Sequence, residues 1–371
     1  MNDEGCTFSE YLPEEILVNI LVRLPVKSLV RFTCVCKFWS DLIQSSRFIG
    51  KHLHRNVTNH AHSFVIALYE STSKPKISYT LLSNETMEPC LKIKHPLSGY
   101  KIDVHGSVDG LVCLSYELGD LDTSIYLCNL SIRKHVVLPP TSTLSRHSDV
   151  CFTVSFGFHP GLNDYKVVRM VSFNGGKLCS ELEVYSLSTK SWKRIDNPLV
   201  KTMAWQSGNA VCNGVAYWIM QKQNGTFCFV SFDTGSEVFE EFWLPDVVLR
   251  GINSGLDNYK ELIAEYKGSV CLLQSNITRG PDLIGIWALK EKAFKALDVV
   301  LIPQRKSIYP LSFRMNNKLL VGWPCADGKN YMTSVDLEAR MVTETRVTLA
   351  LDRLNEFHAY TYVESLVLLK D

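Results

Sequence analysis

Four of the ten histidines, His52, His54, His60 and His62, lie within the twelve residues of "KHLHRNVTNHAH". Imidazole nitrogens are common zinc ligands, so a cluster of this density could hold a metal ion. No Cys, Asp or Glu lies within the run, and its polar composition is typical of a linker. We therefore interpret these histidines as solvated, with no metal and no cofactor.

The twelve cysteines are scattered along the chain without a CxxC pair. Cys34 and Cys36 are separated by one residue, which is too close for the usual zinc ligand spacing. In a reducing compartment such thiols are small core residues, so we predict that both are packed in the interior.

A run of acids occupies one predicted hairpin without any basic residue among them. Two interpretations stay open, a surface that steers a basic protein partner and a solvated edge of a sheet, which is the commoner reason for such a run. The candidate target-binding acids are Asp233, Glu237, Glu240, Glu241 and Asp246.

Motifs for enzyme chemistry are missing from the sequence. It contains no HExxH, no GxSxG, no phosphate-binding loop and no nucleotide-binding glycine pattern. We therefore predict a binding protein and no catalytic residue, while an enzyme housed in the later domain stays an alternative.

Charge and segment composition restrict the partners. The net charge is +1, from 39 basic and 38 acidic residues, so no electrostatic footprint for nucleic acid or an anionic membrane is present. The opening "MNDEGCTFSE" lacks the features of a secretory signal, and no run approaches eighteen apolar residues. We expect a cytoplasmic protein, with the nucleus as a second location.

The stretch "LPEEILVNILVRLPVKSLVRFTCVCKFWSDLI" predicts three short helices. Pro13 suits the first position of a helix, with Glu14 and Glu15 at its positive end, and Pro25 ends that helix. Helices this short are unstable alone, so their apolar surplus must pack either on the rest of this chain or on another protein.

This stretch resembles an F-box in its Leu-Pro opening, its Ile-Leu pair, its second Leu-Pro, "VKSL", "CVCK" and the following tryptophan. The resemblance implies docking on the Skp-type adaptor of a cullin-based ubiquitin ligase. The positions carried over as forming or supporting that contact are Leu12, Pro13, Ile16, Leu17, Ile20, Leu21, Leu24, Pro25, Ser28, Leu29, Val30 and Trp39.

The remaining chain predicts β-structure with an internal repeat. Short runs rich in Val, Ile, Phe, Tyr and Trp alternate with polar turns, and one type of hairpin recurs six times with gaps of 46 to 57 residues. A second hairpin type lies between them, as in "VCNGVAYWI". Two hairpins per repeat predict a mainly β chain with a kelch-like propeller of six blades, in which "HSFVIALY" and "AYTYVESLVLL" are available to close the ring. The six aligned turns are at Ser83, Asn129, Ser186, Asp233, Ala288 and Asp336.

"FGFHPGLNDYKVVRM", "LEVYSLSTKSWKRI" and "VSFDTGSEVFEEFWLP" resemble the plant F-box-associated interaction domain. "KHLHRNVTNHAH", "LLSNET", "FGFHPGLNDYK" and "TYVESLVLL" are similar to runs in the pollen S-locus F-box group and its S-locus F-box-like relatives. This second resemblance implies a role in S-RNase-based self-incompatibility, with a pistil ribonuclease as target.

We therefore predict an F-box domain at residues 8–50, a hinge at 51–62 and an F-box-associated propeller at 63–371. The predicted function is substrate recognition in an SCF-type ubiquitin ligase, with the propeller binding a protein target. The alternative is a stoichiometric binding protein that does not deliver its target for ubiquitination. Longer connections around residues 139–148, 199–208 and 246–257 are further candidates for target contact.

Overall fold

The computed structural model describes residues 13–58, 62–70, 76–94, 101–117, 123–141, 150–173, 179–253, 260–276, 283–302, 307–314, 316–325, 330–349 and 359–368. Helices dominate the first described segment, and strands dominate all the others. In these segments, no helix has the length and apolar character needed to cross a bilayer.

The first two helices each begin directly after a proline, and the first ends at Leu21, four residues before Pro25, which was predicted to end it. Pro13 and Pro25 directly precede the first and second helices in extended conformations, because proline has a fixed φ and no N–H to leave unpaired. Glu14 and Glu15 lie in the first turn of the first helix, where negative charge is favourable. The helices are α1 (Glu14–Leu21), α2 (Val26–Phe32), α3 (Lys37–Ile43), α4 (Ser46–Thr58) and α5 (Asp246–Asn253).

Helix α4 corrects the prediction of a hinge at residues 51–62. Residues 51–58 are helical, and the same helix buries Phe48 and His52 on one face. Their separation of four residues places both side chains on the same side of a helix. The polar composition of the run concealed this pattern, because a histidine occupies an interior position.

Within the described residues, six four-stranded antiparallel sheets follow helices α1–α4, and each is named after its position in the chain. Sheet 1 contains β1 (His62–Glu70), β2 (Lys76–Ser83), β3 (Pro89–Lys94) and β24 (Ala359–Val363). Sheet 2 contains β4 (Lys101–Val108), β5 (Leu111–Glu117), β6 (Thr123–Asn129) and β7 (Lys134–Val137). Sheet 3 contains β8 (Val150–His159), β9 (Asp164–Phe173), β10 (Cys179–Ser186) and β11 (Ser191–Ile195).

The other three sheets, like sheets 2 and 3, are each built from four consecutive strands. Sheet 4 contains β12 (Met203–Cys212), β13 (Val215–Lys222), β14 (Phe227–Asp233) and β15 (Phe239–Phe242). Sheet 5 contains β16 (Glu261–Tyr266), β17 (Ser269–Asn276), β18 (Leu283–Lys290) and β19 (Ala293–Leu301). Sheet 6 contains β20 (Tyr309–Phe313), β21 (Leu319–Pro324), β22 (Asn330–Asp336) and β23 (Met341–Leu349).

The sheets are arranged as a β-propeller. The innermost strands are β4, β8, β12, β16, β20 and β24, and each contacts the innermost strands of the sheets before and after it. Five sheets use strands that follow one another in the chain, whereas sheet 1 takes its innermost strand from far along the chain. There β24 pairs with β1 in antiparallel register from His62 with Val363 to Ile66 with Ala359. The predicted closing segments therefore do meet.

The aligned turns of the sequence repeat fall at equivalent places in the sheets. Each one lies at or near the end of the third strand of a sheet, before the turn to the outermost strand. The second hairpin type connects the first strand to the second, as at Asn213 and Gly214 between β12 and β13. The spacing of turns in the sequence therefore reports the repeat of the fold.

The core lies between neighbouring sheets. Along β13, Ala216, Trp218 and Met220 pack toward sheet 3, whereas Tyr217 and Ile219 pack toward sheet 5. Side chains alternate across a strand, so a strand covered on both faces is apolar throughout. This arrangement explains the continuous apolar runs that the sequence shows.

The two ends of the ring differ in their connections. Turns from first to second and from third to fourth strands share the end at which α4 enters β1, and we call this end the helical face. These turns are tight, and each contains a residue with positive φ, such as Asp109, Asn163 or Arg340. The opposite end, here called the far face, carries the longer connections, among them α5.

The turn at Gly110 in sheet 2 packs closely against the end of β24 and the residues that follow it. Gly110 has φ +78°, and a Cβ there would lie 2.4 Å from Ser365 Oγ and 2.5 Å from the Val363 carbonyl oxygen. Gly225 has a similar φ of +82°, and a Cβ there would meet no atom within 4 Å.

We expect Gly225→Ala to lower the free energy of unfolding by about 1 kcal/mol. Gly110→Ala should lower it by roughly 2 to 4 kcal/mol, because overpacking adds to the backbone cost.

Urea denaturation followed by circular dichroism measures both changes. Equal losses for the two variants would contradict the close packing of residues 363–365 against this turn.

Candidate docking surfaces

The helical region exposes apolar side chains that its own core does not use. Ile16 and Ile20, one turn apart on α1, are 45% and 48% exposed, and Val35 and Phe38 are exposed around the start of α3. Four large apolar side chains on so small a unit are unusual for a surface that faces only water. This surface can accept an apolar partner.

The positions carried over from the F-box resemblance divide into surface and core. Leu12 lies outside the described residues. The exposed members are Pro13, Ile16, Ile20 and Pro25, and the half-buried members are Leu17, Leu24, Ser28, Val30 and Trp39. Leu21 and Leu29 are buried, so they support the surface from within and do not form it. Val35 and Phe38 were missed because neither continues the apolar periodicity of α1.

The core of the helical region includes a residue from outside it. Val18, Leu21, Val26, Leu29, Ile43 and Phe48 form one buried cluster with Leu366, which follows β24. Ile132, in the turn between β6 and β7, also packs on this cluster. The sequence left open whether the excess apolar side chains of these helices pack on the rest of this chain or on another protein. Part of them packs on the rest of this chain.

Hydrogen bonds around His52 hold α4 against the first two helices and the propeller. The fully buried His52 ring donates from Nε2 to the Leu24 carbonyl oxygen over 3.1 Å. With that tautomer, Nδ1 accepts from Asn56 Nδ2 at 3.4 Å, and Asn56 Nδ2 also donates to the Glu364 carbonyl oxygen at 3.0 Å. Burial lowers the pKa of His52 from 6.5, the bond to Leu24 raises it in part, and Arg55 lowers it again.

The predicted solvation of the four histidines is therefore wrong for His52, which is buried. His54 is exposed on the same helix, and His60 lies outside the described residues. Throughout the ranges given above, no group of three His, Cys, Asp or Glu side chains is placed to share a metal ion. The prediction for the CVC step is wrong for Cys34, which is exposed, while Cys36 is half-buried.

The acidic run lies on sheet 4 and at the start of α5, and most of its charges are paired. Glu237 pairs with Lys193 of sheet 3, Glu241 with Lys222 of its own sheet, and Glu240 with Lys292 of sheet 5 at 2.6 Å. Three lysines, from β11, β13 and the turn before β19, form ion pairs with these acids. The run is therefore not an unpaired acidic surface. The sequence could not indicate this, since the lysines are up to 52 residues away.

Asp233 has a structural role in its turn. Burial tends to raise its pKa, but N–H groups of Ser236 and Gly235 donate to its carboxylate, and the net pKa is lowered. His159 Nε2 lies 3.9 Å from the same carboxylate. Asp246 lies in the first turn of α5, where its charge suits the helix N-terminus.

A groove of about 480 Å³ separates sheets 4 and 5, near the helical face. Tyr217, Asp233 and Glu240 line one wall, and Lys292 lies on the other. The ion pair of Glu240 with Lys292 crosses it. Its charged groups are therefore committed to bonds within the propeller.

The far face holds the three connections that were candidates for target contact. The first is described up to residue 141. The second candidate range, 199–208, contains a short 3-10 helix, Val200–Thr202. The rest of that range from Met203 onward belongs to strand β12. The third begins with α5.

Trp243, just before α5, is 83% exposed, with Lys222 Nζ 5.9 Å from its ring centroid. Exposed tryptophans of this kind are frequent anchors in protein interfaces. Sequence reasoning missed it, because it reads as one more aromatic residue at the end of a strand.

Protonation of His52 should loosen the helical region. Its folded-state pKa lies below the unfolded value of 6.5, so the stabilisation is complete above that pH and is lost progressively as pH falls below it. We expect amide hydrogen exchange in α1–α4 to accelerate between pH 7.5 and 5.5 in the wild type, after correction for intrinsic rates.

The variant His52→Gln keeps a donor but cannot titrate, so that acceleration should be reduced. His54→Gln, on the same helix, is the matched control and should behave as the wild type does. An unchanged pH dependence in His52→Gln would contradict the assignment.

The comparisons with known proteins agree with this division into two parts. The family described as F-box domain matches residues 10–50, and the family described as F-box associated beta propeller domain matches residues 57–308. The chain is similar to F-box protein CPR1 of Arabidopsis thaliana, at 26% identity over 96% of this chain and 89% of that protein. It is similar to an F-box/kelch-repeat protein of the same plant, at 26% identity over 76% of each.

Among solved structures, the chain resembles TolB from Acinetobacter baumannii with a TM-score of 0.48 and 13% identity. That alignment covers 85% of this chain and 73% of TolB.

Proposed function

Because the chain belongs to the F-box associated beta propeller family and also carries an F-box, we propose that it is a substrate-recognition subunit of a cullin-based ubiquitin ligase. The F-box binds a Skp-type adaptor, and the propeller binds a protein target. The observation that carries this proposal is the exposed apolar surface of α1 and α3 on a helical region fixed to one face of a closed ring.

The adaptor contact is proposed at the exposed members of the F-box set. Ile16 and Ile20 together with Val35 and Phe38 offer the apolar side chains, and half-buried Leu17, Leu24 and Trp39 lie behind them. Burial of one such side chain contributes about 1.5 to 3 kcal/mol, so a few suffice for specific docking. Leu21 and Leu29 act indirectly, by holding the helices together.

Ile20→Asp is the variant that tests the adaptor contact. It places a charge on the proposed interface while the buried core is left intact, whereas Leu24 also packs on the core. We expect binding to a Skp-type adaptor to weaken at least a hundredfold, by about 3 kcal/mol. Surface plasmon resonance with purified adaptor measures the change.

Val299→Asp, an exposed apolar position on the outermost strand of sheet 5, is the control and should bind as the wild type does. Failure of the wild type to bind any of several adaptors would overturn the proposal.

The target is proposed to bind the far face, away from the adaptor. That face carries the longer connections, the exposed Trp243 and α5, while tight turns occupy the helical face. The contribution to ubiquitination is positional, since a tethered target has a high effective concentration near the charged conjugating enzyme. We expect the protein in the cytoplasm or nucleus, where its ligase partners act.

A pistil S-RNase is the first target to assay, as the S-locus resemblance implies. The described parts of these runs lie in α4 and at the start of β1, at the turns after β2 and β8 with the adjoining strand ends, and in β24 with the residues that follow it. All of these belong to the helical face or to ring closure. The S-RNase proposal is therefore supported by residues that build the propeller and not by residues of the proposed target surface. Binding assays with the candidate target are needed to identify the target class.

The lifetime of the target protein in cells distinguishes a ligase subunit from a stoichiometric binding protein. In cells expressing wild type or Ile20→Asp at equal levels, a delivered target should be degraded several-fold faster with the wild type. Cycloheximide chase of proteins captured by both forms measures this. Equal lifetimes, with adaptor binding lost in the variant, would favour the stoichiometric binder.

A further inference from the structure

Residues 364–368, here called the closing strap, connect three parts of the molecule that are distant in sequence. The strap directly follows β24, the innermost strand of sheet 1. Leu366 is fully buried in the F-box core, and Leu368 is buried in the core between sheets 2 and 3. Two residues apart, these leucines therefore join the F-box to the propeller.

Sheet 2 positions the strap through one buried side chain. Asn129 Nδ2 donates to the carbonyl oxygens of Ser365 and Val367, at 3.0 and 2.9 Å. Beside it, the Ser131 N–H donates to Tyr362 Oη at 2.9 Å. Because these acceptors are held by the turn after β6, the direction of Leu366 is determined by closure of the ring.

The F-box is held to the strap by polar contacts as well. Asn56 of α4 donates to the Glu364 carbonyl oxygen, and the Val26 N–H at the start of α2 donates to the Glu364 carboxylate. Burial raises the pKa of Glu364, and the hydrogen bond from Val26 lowers it in part. The strap therefore contacts α2 and α4 through Glu364, close to Leu366.

We infer that the F-box of this chain is incomplete by itself, and that the strap makes adaptor binding conditional on a closed propeller. The helices α1–α3 have seven or eight residues each, so they depend on their shared core. Leu366 is part of that core, and it is in place only when β24 pairs with β1. This inference rests on the proposed function for the adaptor, whereas the coupling itself concerns only this chain.

Leu366→Asp in the full chain tests the coupling. We expect amide hydrogen exchange in α1–α3 to accelerate at least tenfold while sheets 3–5 remain protected, and adaptor affinity to fall at least tenfold. Leu297→Asp makes the same change at an exposed leucine of β19 and should alter neither quantity. If Leu366→Asp prevents folding of the whole chain, Leu366→Ala is measured in its place.

Unchanged protection of α1–α3 in these Leu366 variants would overturn the coupling. Loss of protection in α1–α3 supports it even if no adaptor binds the wild type, a result that would overturn the proposed function alone.

Discussion

The antiparallel pairing of β24 with β1 is the interaction on which the rest of the structure depends. A propeller built from consecutive hairpins alone would leave sheet 1 with three strands and an open edge, and β24 fills that position. Unpaired edges invite association with other chains, so closure protects the molecule as well as stabilising it. It also brings Leu366 to the F-box, which gives the two domains a fixed relation.

Features that depend on local pattern could be predicted from the sequence. Pro13 marks the start of α1, and the recurrent turns identify the repeat because each sheet reuses the same hairpin. Features that depend on distant partners could not be predicted. His52 is polar yet buried, and its acceptor, the Leu24 carbonyl oxygen, is 28 residues away. The acids of sheet 4 looked free because their lysines belong to neighbouring strands and sheets.

The two faces of the propeller differ in the kind of connection they carry. Tight turns with positive φ occupy the helical face, at residues as different as Asp109, Asn163 and Arg340. The longer connections lie on the far face, and surface connections of this kind can vary in length without disturbing the sheets they join. Sequence similarity that is confined to the helical face therefore indicates a shared fold more directly than it indicates a shared target.

On the inference drawn from Leu366, the F-box is the first folded part to be synthesised and among the last to be completed. The ribosome makes the F-box helices first, but it adds the residue that completes their core only after every strand of the six sheets. A nascent chain would thus expose an F-box sequence without an F-box fold. Products of a premature stop codon before residue 366 would carry the adaptor-binding residues but would be poor competitors for the adaptor. Defective messages of this gene should consequently behave as recessive losses of function and not as dominant inhibitors of other ligases that share the adaptor.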